Sequence, residues 1–197
     1  MNFLAHLYLS GNDDLIKIGN FMADGIRGKD YEDYPSKLKT GILLHRFIDS
    51  YTDSHPVFRQ STKRLHQNYS HYSGVIVDMF YDHFLCKNWA KYSDEKLSDF
   101  VTNFYTSLRE NYTVLTDKTK HLLPYMEEAN WLYNYQFLEE LEIILSQMDS
   151  RTKNKSSMKY AVSDLKQHYA EFEEEFTLFF EDIRQAAQEK LEELQKD

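Results

Sequence analysis

Between Met158 and Leu194 the apolar residues fall three and four apart: Met158, Ala161, Val162, Leu165, Tyr169, Phe172, Phe176, Phe179, Ile183, Ala187, Leu191 and Leu194. That spacing puts them on one stripe of a helix and predicts a terminal helix over 160–197, nominally about 55 Å long at roughly 1.5 Å per residue. Between them stand Glu171, Glu173, Glu174, Glu175, Glu181 and Asp182, which read as a solvated face. Helix starts are legible upstream at Asn12 before Asp13-Asp14, at Pro35, at Ser93 before Asp94-Glu95 and at Thr116 before Asp117, each a capping or first-turn residue. All six glycines fall within the first 74 residues and there are only three prolines, so the later chain lacks the punctuation that strands require. The pattern predicts an all-α, single-domain helical bundle over 1–197, with about seven to nine helices and a long C-terminal one. Segment 149–157, polar throughout, reads as an exposed connection.

Composition sharpens this picture at three points. With 197 residues, including 15 Tyr and 13 Phe, the chain can bury one sizeable aromatic core and line a cleft with flat side chains. Cys86 is the only cysteine, which excludes an intramolecular disulfide framework and fits a cytoplasmic protein with a buried, unreactive thiol. No stretch approaches the roughly 20 apolar residues that span a bilayer, so a membrane location is not expected. Charge is uneven: residues 1–90 carry 10 Lys/Arg and 10 Asp/Glu, residues 91–197 carry 13 and 22. No basic face supports nucleic-acid binding, and an acidic partner would have to dock on the first half.

The candidate chemistry lies where charge interrupts apolar sequence. Asp78-Met79-Phe80-Tyr81-Asp82-His83-Phe84-Leu85 sets two carboxylates four apart, stacked on one helix face, with His83 about 100° further round. His45 and Asp49 repeat the four-residue spacing in Leu44-His45-Arg46-Phe47-Ile48-Asp49, and His6 and Asp24 are also set in hydrophobic sequence. Buried carboxylates are costly unless a cation compensates them, and Arg46 alone cannot neutralise so many. Asp24, His45, Asp49, Asp78, Asp82 and His83 therefore read as ligands of a divalent metal. Oxygen and imidazole donors without thiolate suit Mn, Mg, Fe or Zn in a catalytic site. A lone histidine on an apolar face is ordinarily a hydrogen-bonded core residue, and His66, His71, His121 and His168 are read so, while His6 fits either role. Arg27, Lys29, Lys37, Lys39, Arg46, Arg59, Lys63 and Arg64 surround the proposed ligands in sequence and could hold phosphoryl oxygens or an acidic partner. No P-loop, G-x-S-x-G or dinucleotide fingerprint is present.

Five ordered segments carry a resemblance: Met1-Asn2-Phe3-Leu4-Ala5-His6-Leu7, Gly19-Asn20-Phe21-Met22-Ala23-Asp24, Gly41-Ile42-Leu43-Leu44-His45-Arg46-Phe47-Ile48-Asp49, Thr52-Asp53-Ser54-His55-Pro56 and Asp78 to Leu85. Together they resemble the acyl carrier protein phosphodiesterase family, strongly over residues 1 to about 90 and beyond that in length and helical character. The resemblance implies a Mn-dependent hydrolysis that removes the 4′-phosphopantetheine arm from holo acyl carrier protein, with fold kinship to the all-helical HD phosphohydrolases. The doublet here is Asp82-His83 in place of His-Asp, a departure from that wider signature. Asp24 matches an aspartate associated with activity. On this reading the metal activates water, His6 or His55 protonates the leaving serine alkoxide, and Arg46 neutralises a non-bridging oxygen. The carrier, an acidic protein, would dock on Arg27, Lys29, Arg59, Lys63 and Arg64. Rival readings are a phosphohydrolase of nucleotides or small phosphoesters, and a non-catalytic helical binding protein.

Overall fold

Helix α1 (Phe3–Leu9) leads into α2 (Asp14–Met22), which crosses α3 (Ser36–Ser54) where two glycines remove the side chains between the backbones. A Cβ on Gly19 would stand 2.2 Å from the Leu38 carbonyl oxygen, and one on Gly41 2.1 Å from that of Ile16. Only glycine permits this approach. The computed structural model describes residues 2–196, and among them are eleven α-helices, six 3₁₀ turns and no strand. The others are α4 (Pro56–Tyr69), α5 (Ser73–Lys87), α6 (Leu97–Glu110), α7 (Asp117–Glu128), α8 (Trp131–Asn134), α9 (Leu138–Arg151), α10 (Ala161–Gln167) and α11 (Tyr169–Leu194). The all-α expectation holds. The helix number exceeds the expected one because α1, α8 and α10, with 7, 4 and 7 residues, are too short to register as a period.

The caps follow local chemistry with shifts of a few residues. Asp13, one position after the expected Asn12, accepts from the Leu15 and Ile16 amides, and Thr116 accepts from the Thr119 amide at 3.2 Å. Pro35 precedes α3 as expected. Ser93 starts no helix: its hydroxyl accepts from the Glu95 amide in a turn, and α6 begins only at Leu97.

Helix α5 is buried on nearly every side, with Ile76, Val77, Met79, Phe80, Tyr81, Phe84 and Leu85 in one continuous core. Around it pack α1, α4, α9 and α11. The predicted stripe on α11 meets it through aromatic contacts, Phe172 against Phe80 at 5.2 Å and Phe176 against Tyr81 at 5.6 Å. The expected single helix over 160–197 breaks at His168, whose φ of −120° and ψ of 34° leave the helical region. The break lets α10 pack on α9 while Tyr169 turns its hydroxyl to His83 Nε2 at 2.8 Å. Glu175 on α11 is not solvated as expected. It is buried, accepting from Gln60, Ser61 and both terminal nitrogens of Arg64. Segment 149–157 is not a free connection from end to end: its first three residues close α9, and Asp149 is fully buried and accepts from the Ser156 hydroxyl at 2.6 Å. No helix among the described residues is long and apolar enough to cross a membrane.

Candidate metal and catalytic site

The close α2–α3 crossing brings Asn20 beside His45, and α1 lays His6 on the same point. The two imidazole rings stack at 4.2 Å between centroids and 26° between planes. At one end, His6 Nδ1 and His45 Nδ1 stand 2.8 and 3.0 Å from the single oxygen Asn20 Oδ1. At the other, His6 Nε2 is 3.2 Å from Asp49 Oδ1 and His45 Nε2 is 3.1 Å from Asp49 Oδ2. His45 Nε2 also lies 3.3 Å from Asp24 Oδ1, and Asp24 Oδ2 is 3.5 Å from Lys118 Nζ. Asp24 and Asp49 are about half exposed, so the carboxylate end opens to solvent while His6 is buried.

These groups line a cleft of about 370 Å³. Asp53 and Asp78 add further carboxylates, and Phe3, Phe21, Val75, Met79 and Met148 form its apolar wall. A larger cleft of about 910 Å³, beside Tyr8, Lys17, Tyr92, Phe100 and Arg184, holds none of the predicted ligands.

Burial drives the His6 pKa down to about 4. Burial pulls on His45 too, but hydrogen bonding and charge from Asp24 and Asp49 outweigh it and raise His45 to about 9. His45 in turn holds Asp24 below the usual carboxylate range. Asp49 falls further below it, because both imidazoles overcome the opposing effect of burial. Asp78 moves the other way, raised by burial.

Donor atoms of His6, His45 and Asp49 lie within 4.8 Å of one another, close enough to hold one metal ion. His6 Nε2 is the informative atom. It is buried and stands 3.2 Å from Asp49 Oδ1, yet makes no hydrogen bond of good geometry there. An orphaned ring nitrogen beside a second imidazole and a carboxylate is a donor set that fits Mn, Fe or Zn. A divalent charge there would also offset the crowding of Asp24, Asp49, Asp53 and Asp78.

Of the expected ligands, the structure thus gathers His45, Asp49 and Asp24, brings in His6, and sets Asp78 on the cleft wall. Asp82 and His83 are elsewhere. Asp82, fully buried, accepts from the Leu4 and Ala5 amides at 2.8 and 3.2 Å and so caps α1 from a distant helix. Burial raises its pKa to about 7. His83 points to another side of α5, to the Tyr135 carbonyl and the Tyr169 hydroxyl, each at 2.8 Å.

Two expected catalytic groups are also occupied away from the cluster. Arg46 donates to the Gly28 and Ile26 carbonyls and lies over the Tyr31 ring, clamping the loop after α2. His55 caps α4 by accepting from the Val57 amide and pairs with Asp182 on α11. Among the expected docking residues, Arg64 is committed to buried Glu175, while Arg27, Lys29, Arg59 and Lys63 are exposed. Arg59 Nε donates to the Asp53 carbonyl, which places it near the cleft. The spacing of polar residues in the sequence does not by itself point to Asn20 or Lys118. Asn20 was legible as a polar residue beside Gly19 in an apolar helix, whereas nothing local marks Lys118.

The sequence profile of the family described as acyl carrier protein phosphodiesterase matches residues 1–183. A protein from Photorhabdus laumondii named acyl carrier protein phosphodiesterase is 31% identical over 191 residues, covering 96% of this chain and 96% of the relative. Proteins of the same name from Pectobacterium atrosepticum, 30% identical over 95% of this chain and 97% of the relative, and from Klebsiella pneumoniae, 31% identical over 96% and 99%, are similar. No solved structure matches.

Proposed function

The chain belongs to the acyl carrier protein phosphodiesterase family, and we propose that it hydrolyses the phosphodiester joining 4′-phosphopantetheine to a serine of holo acyl carrier protein. The observation that carries this reading is the coincidence of a family match over residues 1–183 with the His6–His45–Asp49 cluster inside it. His6, His45 and Asp49 would hold one divalent cation, Mn²⁺ on the family resemblance, with Asp24 at its edge. Such a cation supplies positive charge against the phosphodiester and acidifies water.

The chain's own groups account for the remaining work. Asp24, an exposed carboxylate at the mouth of the cleft, accepts the proton of the attacking water. Lys118, 3.5 Å from Asp24, meets charge developing on a non-bridging oxygen, the part the sequence assigned to Arg46. Asp78, which burial holds above the ordinary carboxylate range, gives a proton to the departing serine alkoxide. The apolar wall of Phe3, Phe21, Met79 and Met148 receives the pantetheine arm. Exposed Arg27, Lys29, Arg59 and Lys63 attract the acidic carrier, while Arg64 holds the scaffold.

The test is the intact mass of a holo acyl carrier protein after incubation with this protein, with Mn²⁺ or with excess chelator. Loss of the prosthetic-group mass with metal alone supports the reading. Retention of that mass under both conditions rejects it.

A further inference from the structure

Asn20 is fully buried at the Nδ1 end of the two stacked imidazoles and spends all four of its amide's hydrogen-bonding positions. Its Nδ2 donates to the His6 carbonyl at 3.2 Å and to the Ser10 hydroxyl at 2.8 Å, and that hydroxyl donates to the same carbonyl at 2.8 Å. A carbonyl can only accept. Turning the amide over would set oxygen against oxygen in a buried place, so Asn20 Oδ1 must face the rings. An amide oxygen also only accepts, so both nitrogens that meet it, His6 Nδ1 at 2.8 Å and His45 Nδ1 at 3.0 Å, must carry hydrogen.

We propose that Asn20 is a positioning residue that holds hydrogen on Nδ1 of both imidazoles and so turns both Nε2 atoms toward Asp49, bare in His6 and in His45 open to a divalent cation once that cation displaces its proton. The inference rests on the metal site read above. A neutral ring with hydrogen on Nδ1 has a bare Nε2, and in His6 that atom is the buried nitrogen without a hydrogen-bond partner. A bare nitrogen 3.2 Å from a carboxylate oxygen is an unfavourable contact until a cation stands between them. One buried amide therefore presets the ligand face of two histidines, which would otherwise distribute between tautomers. Ser10 completes the device by holding the amide itself.

The test begins with the metal-free, full-length protein labelled with ¹⁵N, read by long-range ¹H–¹⁵N correlation at neutral pH. His6 should show a protonated Nδ1 and an unprotonated Nε2, the less populated form of a free neutral imidazole. In Asn20→Ala this preference should disappear, and calorimetric Mn²⁺ affinity should fall by roughly 10- to 100-fold. His6 carrying its proton on Nε2 in the wild-type protein would overturn the proposal, as would an unchanged tautomer and affinity in Asn20→Ala. Should that variant fail to fold, the wild-type tautomer decides alone. The expected tautomer in a wild-type protein that binds no Mn²⁺ would uphold the lock and sink the metal reading.

Discussion

Replacing Gly41 with alanine adds one methyl group at the point where α3 touches α2. The new Cβ would lie 2.1 Å from the Ile16 carbonyl oxygen, 2.6 Å from the Asn20 amide nitrogen and 2.9 Å from the Gly19 Cα, all of them backbone atoms. Reaching an ordinary contact of 3.4 Å opens the crossing by roughly 1.3 Å, since no flexible side chain can yield. Overpacking of this kind costs about 1–3 kcal/mol and sometimes more, against at most ~1 kcal/mol gained from alanine's helix propensity. A net loss of about 1–2 kcal/mol lowers the Tm by roughly 2–8 °C in a chain of this size. The same movement carries Asn20 away from His45 Nδ1, now at 3.0 Å, and beyond hydrogen-bonding range. Mn²⁺ affinity should therefore fall together with stability. Gly74→Ala is the control, because its Cβ would meet nothing within 4 Å on α5; its Tm should stay level or rise. Thermal unfolding followed by circular dichroism, with Mn²⁺ calorimetry on the folded variants, reads both effects. A Gly41→Ala protein as stable and as tight for Mn²⁺ as the wild type would refute the argument that glycine sets the site.

Asp82→Asn should behave as a scaffold variant. Because burial raises the folded carboxyl to about 7, above its unfolded value near 3.8, its contribution to stability is complete below about pH 4 and is lost as pH rises toward 7. Urea titrations across that window should show this downward component in the wild type relative to Asp82→Asn, and parallel pH profiles would contradict it. Arg64→Ala strands buried Glu175 and should cost about 3–5 kcal/mol in the same urea titrations while leaving the KM for the carrier unchanged. Charge reversal of exposed Arg59 and Lys63 to Glu should instead raise that KM several-fold at low salt and converge with the wild type at high salt. No change at low salt would move the docking surface elsewhere. Asp78→Asn should lower kcat by about 100-fold with Mn²⁺ affinity kept within a few-fold; near-normal turnover would remove Asp78 from the reaction.

The helical class and the long terminal helix were legible because a 3.6-residue period survives on any helix with one wet face, as α11 has. On α5 the rule fails. With nearly every face buried, Asp78, Asp82 and His83 each answer to a different neighbour: the cleft wall, the α1 amides, and the Tyr135 and Tyr169 side. The identical four-residue spacing in His45–Asp49 does bring its two side chains together, since both face the cleft from α3. Spacing within one helix can show that two side chains share a face, but not what the face meets. Arg46 and Arg64 illustrate the same limit, being cations whose carbonyl and carboxylate partners lie 18 and 111 residues away. Lys118 reaches Asp24 because Thr116, the cap of α7, packs against Gly25, a tertiary contact with no local trace.

The most direct measurement is calorimetric titration of Mn²⁺ into the wild-type protein and into folded His45→Ala, Asp49→Asn, Asp82→Asn and His83→Ala variants. Here, binding should be lost or weakened at least tenfold in the first two and preserved in the last two. Binding that survives in His45→Ala and Asp49→Asn but vanishes in Asp82→Asn and His83→Ala would contradict the His6–His45–Asp49 assignment.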